Sequence, residues 1–535
     1  MQLPRIAHLN PTAASLRRRS VIVTPMMILL SLALLITAAS APVASATTSA
    51  AKQGGVLTVD MYDITWVSLE SPYVGGQVTS DQPILSAIYS SFFDLGPQGQ
   101  LVPDLATKYT VTNHDLTINV FLRPGLKFSD GTALNAAAVA YNWNRDYMLM
   151  KAGTVSFAST MKTFVSAQAV SSTEVSATFS QPTPAFIKTG LVGVQEAYVT
   201  SPTAIQNESE GALDTDPIGA GPFVVTSDTP NDQILLSRNP YFWNKSAVHL
   251  SGMKLLYVGD ENSALDDVEN NNAQAMIALG GPDPQYVTQA KATAGLVVTK
   301  PPKNSFVTIF MSEKGNSPFA NEIAREALTK ATDALPLGKA LYGSQFTVAG
   351  EQIYPGSPEF DKSVHPASYN LSAATKLVNQ LGGLHFTIIP LSNTPNYLSL
   401  AEGLAKEWES AGMVTTIDSM AETAALSYLS GGTYQVFITQ TQASIDPAYE
   451  AATFYSNPAW GDGDPNLQGK VNKATETFSV AGQLAEYAKL YQYIYSNYYS
   501  LPLFVLPAAT AILRNTVQGY DTTAPLIYFN YVSLK

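Results

Sequence analysis

The sequence contains no cysteine among its 535 residues. We therefore expect a protein without disulfides, without a thiol nucleophile or thiol metal ligand, and without a lipid-anchoring cysteine. Charged residues make up only 13% of the chain, which is low against an average of about 25%. Hydrophobic residues make up 46%, so a chain of this length can bury two or three domain cores without covalent crosslinks.

Histidine is also scarce, and the usual catalytic motifs are absent. The five histidines include His249, His365 and His385, whose spacing does not form a local metal site. There is no H-E-x-x-H, G-x-S-x-G or phosphate-cradling glycine loop. The 42 acidic residues offer many carboxylate pairs for glycoside hydrolysis, but only their number supports that reading. We expect no enzymatic activity, no catalytic residues, no cofactor and no protein-bound metal.

Positive charge is in short supply, since 30 basic residues face 42 acidic ones and the formal net charge is −12. The first 46 residues hold four arginines and no acid, so the remainder carries a formal charge of −16. Nucleic acids and anionic membrane surfaces are poor partners for such a chain.

The N-terminus has the order of a secretory signal peptide. A basic cluster at Arg17–Arg19 precedes an apolar run over 26–36, and the small residues Ala44-Ser45-Ala46 follow. We predict export to the cell envelope or the extracellular space, with cleavage after Ala46. The alternative is an uncleaved membrane anchor over 21–41, which Pro25 and several hydroxyl side chains weaken.

Local patterns predict mixed α/β structure. A hairpin over 108–122 is followed by turns and by Asn135, a helix N-cap candidate. From about residue 304 onward, short apolar strands alternate with amphipathic helices, and a tyrosine-rich helix is predicted over Leu484–Tyr499. The tyrosines Tyr491, Tyr495, Tyr498 and Tyr499 are predicted to stripe a buried face of that helix.

Five motifs along the chain share their order and spacing with one known family. They are LVPDLA at 101–106, FLRPGLKFSDGT at 121–132, PIGAGPF at 217–223, RNPYFW at 238–243, and SPFAN through ATD at 317–333. Together these segments resemble the extracellular solute-binding proteins of family 5, the oligopeptide, dipeptide and nickel type of ABC transporter substrate-binding protein. Most of these residues have local structural roles, such as the tight turn at Asp130-Gly131.

The resemblance implies a periplasmic-binding-protein-like type II fold: two α/β lobes joined by a hinge, plus an inserted third domain. The implied division is a signal peptide at 1–46, lobe I at 47–95, 216–300 and 506–535, the inserted domain at 96–215, and lobe II at 301–505. A ligand would lie in the cleft between the lobes, and closure of the hinge would trap it. The implied partners are a small peptide or other small molecule and the membrane permease of an ABC importer, and we expect a monomer.

The resemblance also implies which residues line the cleft. Two segments are candidates, one after the first strand and one at the end of a strand in lobe II. The candidate ligand-binding residues are Gly75, Gly76, Gln77, Gln440, Gln442, Ala443 and Trp460. Trp66 is a further candidate for the cleft wall.

Ala443 departs from the family pattern. In the peptide receptors, an aspartate four residues before a proline pairs with the α-ammonium of the peptide, and Ala443 has that place relative to Pro447. The side chains of Gln440 and Gln442 offer neutral amides instead, which suit peptide carbonyls, sugars or an uncharged ligand. The alternatives are that Asp446 substitutes for the missing aspartate, or that the register differs by a few residues.

Two other functions remain open. Nickel-type members share the fold, so the ligand is alternatively a metal chelate or an oligosaccharide. A peptide-signal sensor without a transport role would have the same sequence features.

Overall fold

The structure is a computed structural model. It describes residues 53–62, 68–70, 82–96, 99–153, 159–208, 211–279, 281–353, 355, 360–361, 363–392, 394, 396–421, 424–425, 428, 434–442, 455, 464–507, 509–521 and 527–535. Residues 50–535 form one compact unit. Within the part of the chain that is described, no helix is both long enough and apolar enough to cross a membrane. The predicted signal peptide lies outside the described residues.

The strands are numbered in chain order. They are β1 Val56–Tyr62, β2 Phe93–Leu95, β3 Leu101–Pro103, β4 Ala106–Thr112, β5 Thr117–Leu122, β6 Phe164–Ala169, β7 Glu174–Phe179, β8 Phe223–Thr229, β9 Gln233–Arg238, β10 Gly252–Val258, β11 Ala275–Leu279, β12 Leu296–Val298, β13 Lys303–Met311, β14 Thr347–Val348, β15 Leu384–Pro390, β16 Met413–Ile417, β17 Val436–Gln442, β18 Ser500–Pro507, β19 Ala509–Arg514, β20 Val517–Gln518 and β21 Ser533–Leu534.

The described α-helices are numbered in the same way. They are α1 Gln82–Ile88, α2 Ala136–Lys151, α3 Ser159–Lys162, α4 Pro202–Asn207, α5 Glu261–Glu269, α6 Pro284–Ala292, α7 Glu322–Ala331, α8 Ala334–Tyr342, α9 Leu371–Gln380, α10 Tyr397–Ser410, α11 Pro465–Glu476 and α12 Val480–Ser496.

Strands from distant parts of the chain form a seven-stranded sheet in the order β12-β19-β11-β1-β10-β9-β8. The central strand β1 runs parallel to β10 and β11, whereas β19 runs antiparallel to β11 and β12. Leu57, Val59 and Met61 of β1 are buried on one face of this sheet. Helix α5 packs on the other face, against Met276 of β11. We call this sheet and its helices the seven-stranded part.

A second sheet has six strands in the order β14-β18-β13-β17-β15-β16. Strand β13 lies between β17 and β18, antiparallel to both, while β15 runs parallel to β16 and β17. The amphipathic helices α7, α9 and α10 contribute to its apolar core, which includes the fully buried Trp408. We call this sheet and its helices the six-stranded part.

A smaller antiparallel sheet, with the order β4-β5-β7-β6, lies between β3 and β8 in the sequence. Its first hairpin turns through Asn113, His114 and Asp115, all at positive φ. Helix α2 packs on this sheet, and Asn135 caps it as the sequence predicts, because its Oδ1 accepts a hydrogen bond of 3.0 Å from the Ala138 amide. We call this region the four-stranded part.

Several motif residues are fixed by local backbone geometry. Gly131 has a φ of +82°, and Asp130 Oδ1 accepts the Thr132 amide at 2.8 Å, which confirms the predicted turn. A Cβ at Gly221 would lie 2.5 Å from the Ile88 carbonyl carbon. The PIGAGPF segment therefore needs glycine in order to pass against the end of α1.

The prediction for the tyrosine-rich helix is correct in type but not in extent. Helix α12 ends at Ser496, so Tyr498 and Tyr499 lie beyond it. Tyr498 has a φ of +56°, which takes the chain out of the helix. Tyr491 is buried in the helix as predicted, whereas the buried Tyr499 occupies the link to β18.

Candidate functional site

The two larger parts are connected by two chain crossings, one from β12 to β13 and one from β18 to β19. At the first crossing, the Thr299 amide donates to the Ala511 carbonyl at 2.9 Å, and Thr299 Oγ1 accepts the Ala511 amide at 2.9 Å. On the other side of the crossing, Lys303 Nζ donates to the Phe346 carbonyl at 2.7 Å. These contacts fix the strand ends from which the candidate site is built.

The strand register shows which ends meet at the crossings. Leu279, the last residue of β11, lies opposite Ala509, the first residue of β19. Because β1 runs parallel to β11, Tyr62 at the end of β1 lies at the same edge of the seven-stranded sheet. In the six-stranded sheet, the end of β17 lies opposite the start of β13, with Gln442 paired to Ser305. The carboxyl ends of β1, β11 and β17 therefore all lie at the edges joined by the crossings, where α/β sheets generally hold ligands.

The predicted glutamines occupy this edge of the six-stranded sheet. Gln440 is half-buried and paired with Val307, while Gln442 is described only through its backbone pairing with Ser305. Asn304 and Ser305 at the start of β13 are both buried. Gln440, Asn304 and Ser305 are neutral polar residues at this edge, with Lys303 beside them at the start of β13, and neutral polar groups bind amides or hydroxyls without requiring an opposite charge.

The other predicted site residues lie outside the described part of the chain. These are Gly75, Gly76, Gln77, Ala443 and Trp460, together with Trp66 and Asp446. Their part in ligand binding stays a prediction. The described residues that flank their segments are firmly anchored.

Glu70 anchors the residues that lead into the segment of Gly75. Its Oε1 lies 2.6 Å from Arg145 Nη2 of α2, and this ion pair is largely buried. Burial raises the pKa of Glu70, and the hydrogen bond and charge of Arg145 act against that rise. Just before it, Leu69 is fully buried and its carbonyl accepts the Tyr89 hydroxyl at 3.1 Å. Sequence reasoning missed this pair, since nothing local links residues 75 positions apart.

Three hydrogen bonds, one of them buried and two partly buried, anchor the segment that contains Trp460. The hydroxyl of Tyr455 donates to Gln352 Oε1 at 2.7 Å. Asp464 Oδ2 accepts the hydroxyls of Tyr493 at 2.7 Å and Tyr499 at 2.6 Å. Partial burial of Asp464 acts to raise its pKa, but these bonds outweigh it and the pKa is lowered.

Side chains also bridge the two larger parts near the crossings. Gln345 Nε2 donates to the Pro282 carbonyl at 2.6 Å, and Asn396 Nδ2 lies 3.4 Å from Asp283 Oδ1. The Asp283 amide in turn donates to Glu261 Oε1 at 2.9 Å. The seven-stranded and six-stranded parts are therefore in direct contact beyond their covalent links.

No three histidine or acidic side chains converge as metal ligands anywhere in the described ranges. His249 Nδ1 instead lies 2.8 Å from Gln53 Nε2, and His385 lies in β15. The three histidines considered from the sequence are thus on separate elements, with His365 in the irregular link before α9.

Comparison with known proteins agrees with this architecture. Residues 100–462 match the family described as bacterial extracellular solute-binding proteins, family 5 Middle. The glutathione-binding protein GsiB of Escherichia coli O1:K1 / APEC is 26% identical over 304 residues, which are 57% of this chain and 57% of GsiB. The chain thus matches little more than half the length of this curated relative.

Two solved structures show the same fold. The periplasmic binding protein DppA of Helicobacter pylori, in complex with the peptide STSA, has a TM-score of 0.77 at 18% identity and covers 90% of this chain and 98% of its own. NikA of Brucella suis, in complex with Fe(III)-EDTA, has a TM-score of 0.77 at 15% identity and covers 89% of this chain and 100% of its own. The predicted type II periplasmic-binding-protein fold is confirmed. With the family match over residues 100–462, the chain belongs to the family 5 extracellular solute-binding proteins.

Proposed function

We propose that this protein is the extracytoplasmic receptor of an ABC importer and that it captures a peptide or peptide-like solute between its two larger parts. The observation that carries the proposal is the convergence of the ends of β1, β11 and β17 at the crossings. A relative that binds glutathione and a neighbour that holds the peptide STSA support a peptide-like ligand.

The proposal includes the division of the chain into domains. Lobe I would consist of 47–95, 216–300 and 506–535, the inserted domain of 96–215, and lobe II of 301–505. The grouping of β1, β8 to β12 and β19 in one sheet supports a discontinuous lobe I. Residues 1–46 would direct export and be cleaved after Ala46, and the receptor would act as a monomer that docks on the membrane permease. The neighbouring genes distinguish an importer subunit from a sensor.

Ligand recognition would rely on neutral groups at the ligand's N-terminal end. Ala443 supplies no carboxylate, and Gln440 supplies an amide nearby in sequence. A buried ammonium without a carboxylate partner is strongly disfavoured. We therefore propose that the site accepts peptides whose amino terminus is blocked or remains in solvent.

The test uses Ser-Thr-Ser-Ala and its N-acetylated form as probes in isothermal titration calorimetry. We expect equal or tighter binding of the acetylated form, because Ala443 offers no carboxylate to pair with a free ammonium. Ala443→Asp should reverse this preference. The proposal is contradicted if wild type binds the free tetrapeptide about tenfold or more tightly than its N-acetylated form, since that is the scale of a charge-assisted contact.

The glutamine site has its own test. Gln440→Ala should weaken binding of the same tetrapeptide while leaving the melting temperature nearly unchanged. Gln492→Ala is the matched control, because Gln492 is exposed on α12 in the same part of the protein. Equal affinities for both variants would show that β17 does not line the site.

A non-peptide ligand is the second candidate, and the Fe(III)-EDTA bound by NikA on this fold favours it. Oligosaccharides present hydroxyl donors and oxygen acceptors, and metal chelates such as Fe(III)-EDTA present carboxylate oxygens; neutral amides can form hydrogen bonds with both. Glutathione, Fe(III)-EDTA and maltotriose form a probe panel that separates these ligand classes.

A further inference from the structure

Phe478 belongs to the six-stranded part by sequence but packs elsewhere. It lies in the short link between α11 and α12. Its ring is partly buried against the apolar core of the four-stranded part, the cluster that contains Phe128, Trp143 and Phe164. Phe478 therefore reaches across from one part of the protein to another.

The link that carries Phe478 is held on both sides. Thr477 Oγ1 donates to the Lys473 carbonyl at 2.6 Å, closing the end of α11. Ser479 Oγ accepts the Gly482 amide at 3.2 Å and caps α12. A Cβ at Gly482 would lie 2.6 Å from Ser479 Oγ, so the link is tightly packed. Two helix termini thus fix the position from which the ring projects.

The Phe478 contact depends on the arrangement of the parts. The six-stranded part joins the rest of the chain covalently only through the crossings before β13 and after β18. Rotation about those crossings that opens the space between the parts would return the ring to water. An arrangement in which the six-stranded part has rotated away would lack this contact, and the free energy of the contact would then favour the arrangement that the structure shows.

We propose that Phe478 is a latch that stabilises the closed arrangement from outside the ligand site. The latch rests on the proposed receptor function, where closure traps the solute. Because apparent affinity depends on the population of the binding-competent arrangement, Phe478 would set ligand affinity and release without touching the ligand. It is a positioning residue that holds the six-stranded part against the four-stranded part.

The first test measures the arrangement without any ligand. The chain has no cysteine, so spin labels attach only to the two cysteines introduced by Met148→Cys and Lys489→Cys. Met148 is 66% exposed on α2, and the side chain of Lys489 is 60% exposed on α12. In double electron–electron resonance, Phe478→Ala should lower the ratio of short to long distances about five- to tenfold, as loss of a half-buried aromatic contact implies.

Two further variants separate a latch from a general packing role. Phe478→Leu keeps an apolar side chain and should retain most of the short-distance population. Phe360→Ala is the matched control, because Phe360 is also partly buried but packs within the core of the six-stranded part. It should leave the distances unchanged. Identical distance distributions for wild type and Phe478→Ala would overturn the proposal.

Binding kinetics then connect the latch to function. Phe478→Ala should release Ser-Thr-Ser-Ala about five- to tenfold faster, with the melting temperature close to that of Phe360→Ala. If the distance ratio falls but release is unchanged, closure is not what retains the ligand, and the latch has no receptor role. If wild type does not bind the tetrapeptide at all, the peptide proposal fails while the distance measurement still decides on the latch.

Discussion

Replacing Asp60 by asparagine should change how the stability of the protein depends on pH. Asp60 lies in the central strand β1 and is fully buried. Both of its carboxylate oxygens are shielded from solvent, and the Asp267 side chain acts on them both by its charge and as a hydrogen-bond partner. Burial raises its pKa to about 7, the charge of Asp267 on α5 adds to the rise, and Lys254 on β10 partly offsets it.

The sign follows from comparing the folded and unfolded chains. In the unfolded chain this carboxyl loses its proton near pH 4, whereas in the folded protein it keeps the proton until about pH 7. Between these values the unfolded state binds fewer protons, so the free energy of unfolding falls as pH rises. Each unit of pKa difference corresponds to about 1.4 kcal/mol, so the total loss is at most about 4 kcal/mol and is complete above about pH 7.

The assay is urea unfolding of wild type and Asp60→Asn at intervals from pH 4.5 to pH 8.5. Between pH 5 and pH 7, the free energy of unfolding of wild type should fall by up to about 3 kcal/mol more than that of the variant. Above pH 7 the difference between the two proteins should stay constant. Glu351 and Glu407, whose pKa values burial also raises to about 7, contribute equally to both proteins and cancel in the difference. Asp266→Asn, at an exposed position of α5, is the control, and its stability should depend on pH in the same way as that of wild type. Parallel curves for wild type and Asp60→Asn would refute the reasoning.

Three further substitutions test the local structure by chemical unfolding. Asn135→Ala should lower the free energy of unfolding by about 1 kcal/mol through loss of the α2 cap, whereas Asn135→Asp should retain most of the wild-type stability. An alanine variant as stable as wild type would contradict the capping role. Gly221→Ala should destabilise by more than about 2 kcal/mol, because its Cβ would meet the Ile88 backbone at 2.5 Å, and a well-folded variant would show that this approach is not tight. Arg145→Ala should cost about 3 kcal/mol at pH 7 and less as the pH is lowered, because the raised pKa of Glu70 favours proton uptake once Arg145 is gone. A loss of stability that does not depend on pH would contradict the ion pair.

The features that the sequence predicted correctly depend on neighbouring residues. The cap at Asn135 and the turn at Gly131 follow from the preferences of a few consecutive side chains. The fold class followed from motifs that resemble a family, and both the family and the fold are confirmed. The tyrosine-rich helix was predicted to begin four residues and to end three residues too late, and the turn at Tyr498 that follows its observed end has no sequence signal of its own.

The features that could not be predicted depend on contacts between distant segments. The ion pair of Glu70 with Arg145 and the packing of Phe478 on the four-stranded part join segments that only the folded chain brings together. The sequence placed Gln440 at the end of a strand, and in the structure β17 runs through it, from Val436 to Gln442. Its pairing with Val307 follows from the strand order and not from any local pattern. Its role in ligand binding stays a prediction.

The most direct test of the proposed receptor function is native mass spectrometry of the purified protein, followed by denaturation and identification of any released molecule. We predict bound short peptides or peptide-like solutes, enriched in species whose amino terminus is blocked. Release of a single sugar or a metal chelate would retain the binding fold but contradict the peptide proposal. A protein that carries no solute and binds none of the probes would contradict its role as a solute receptor.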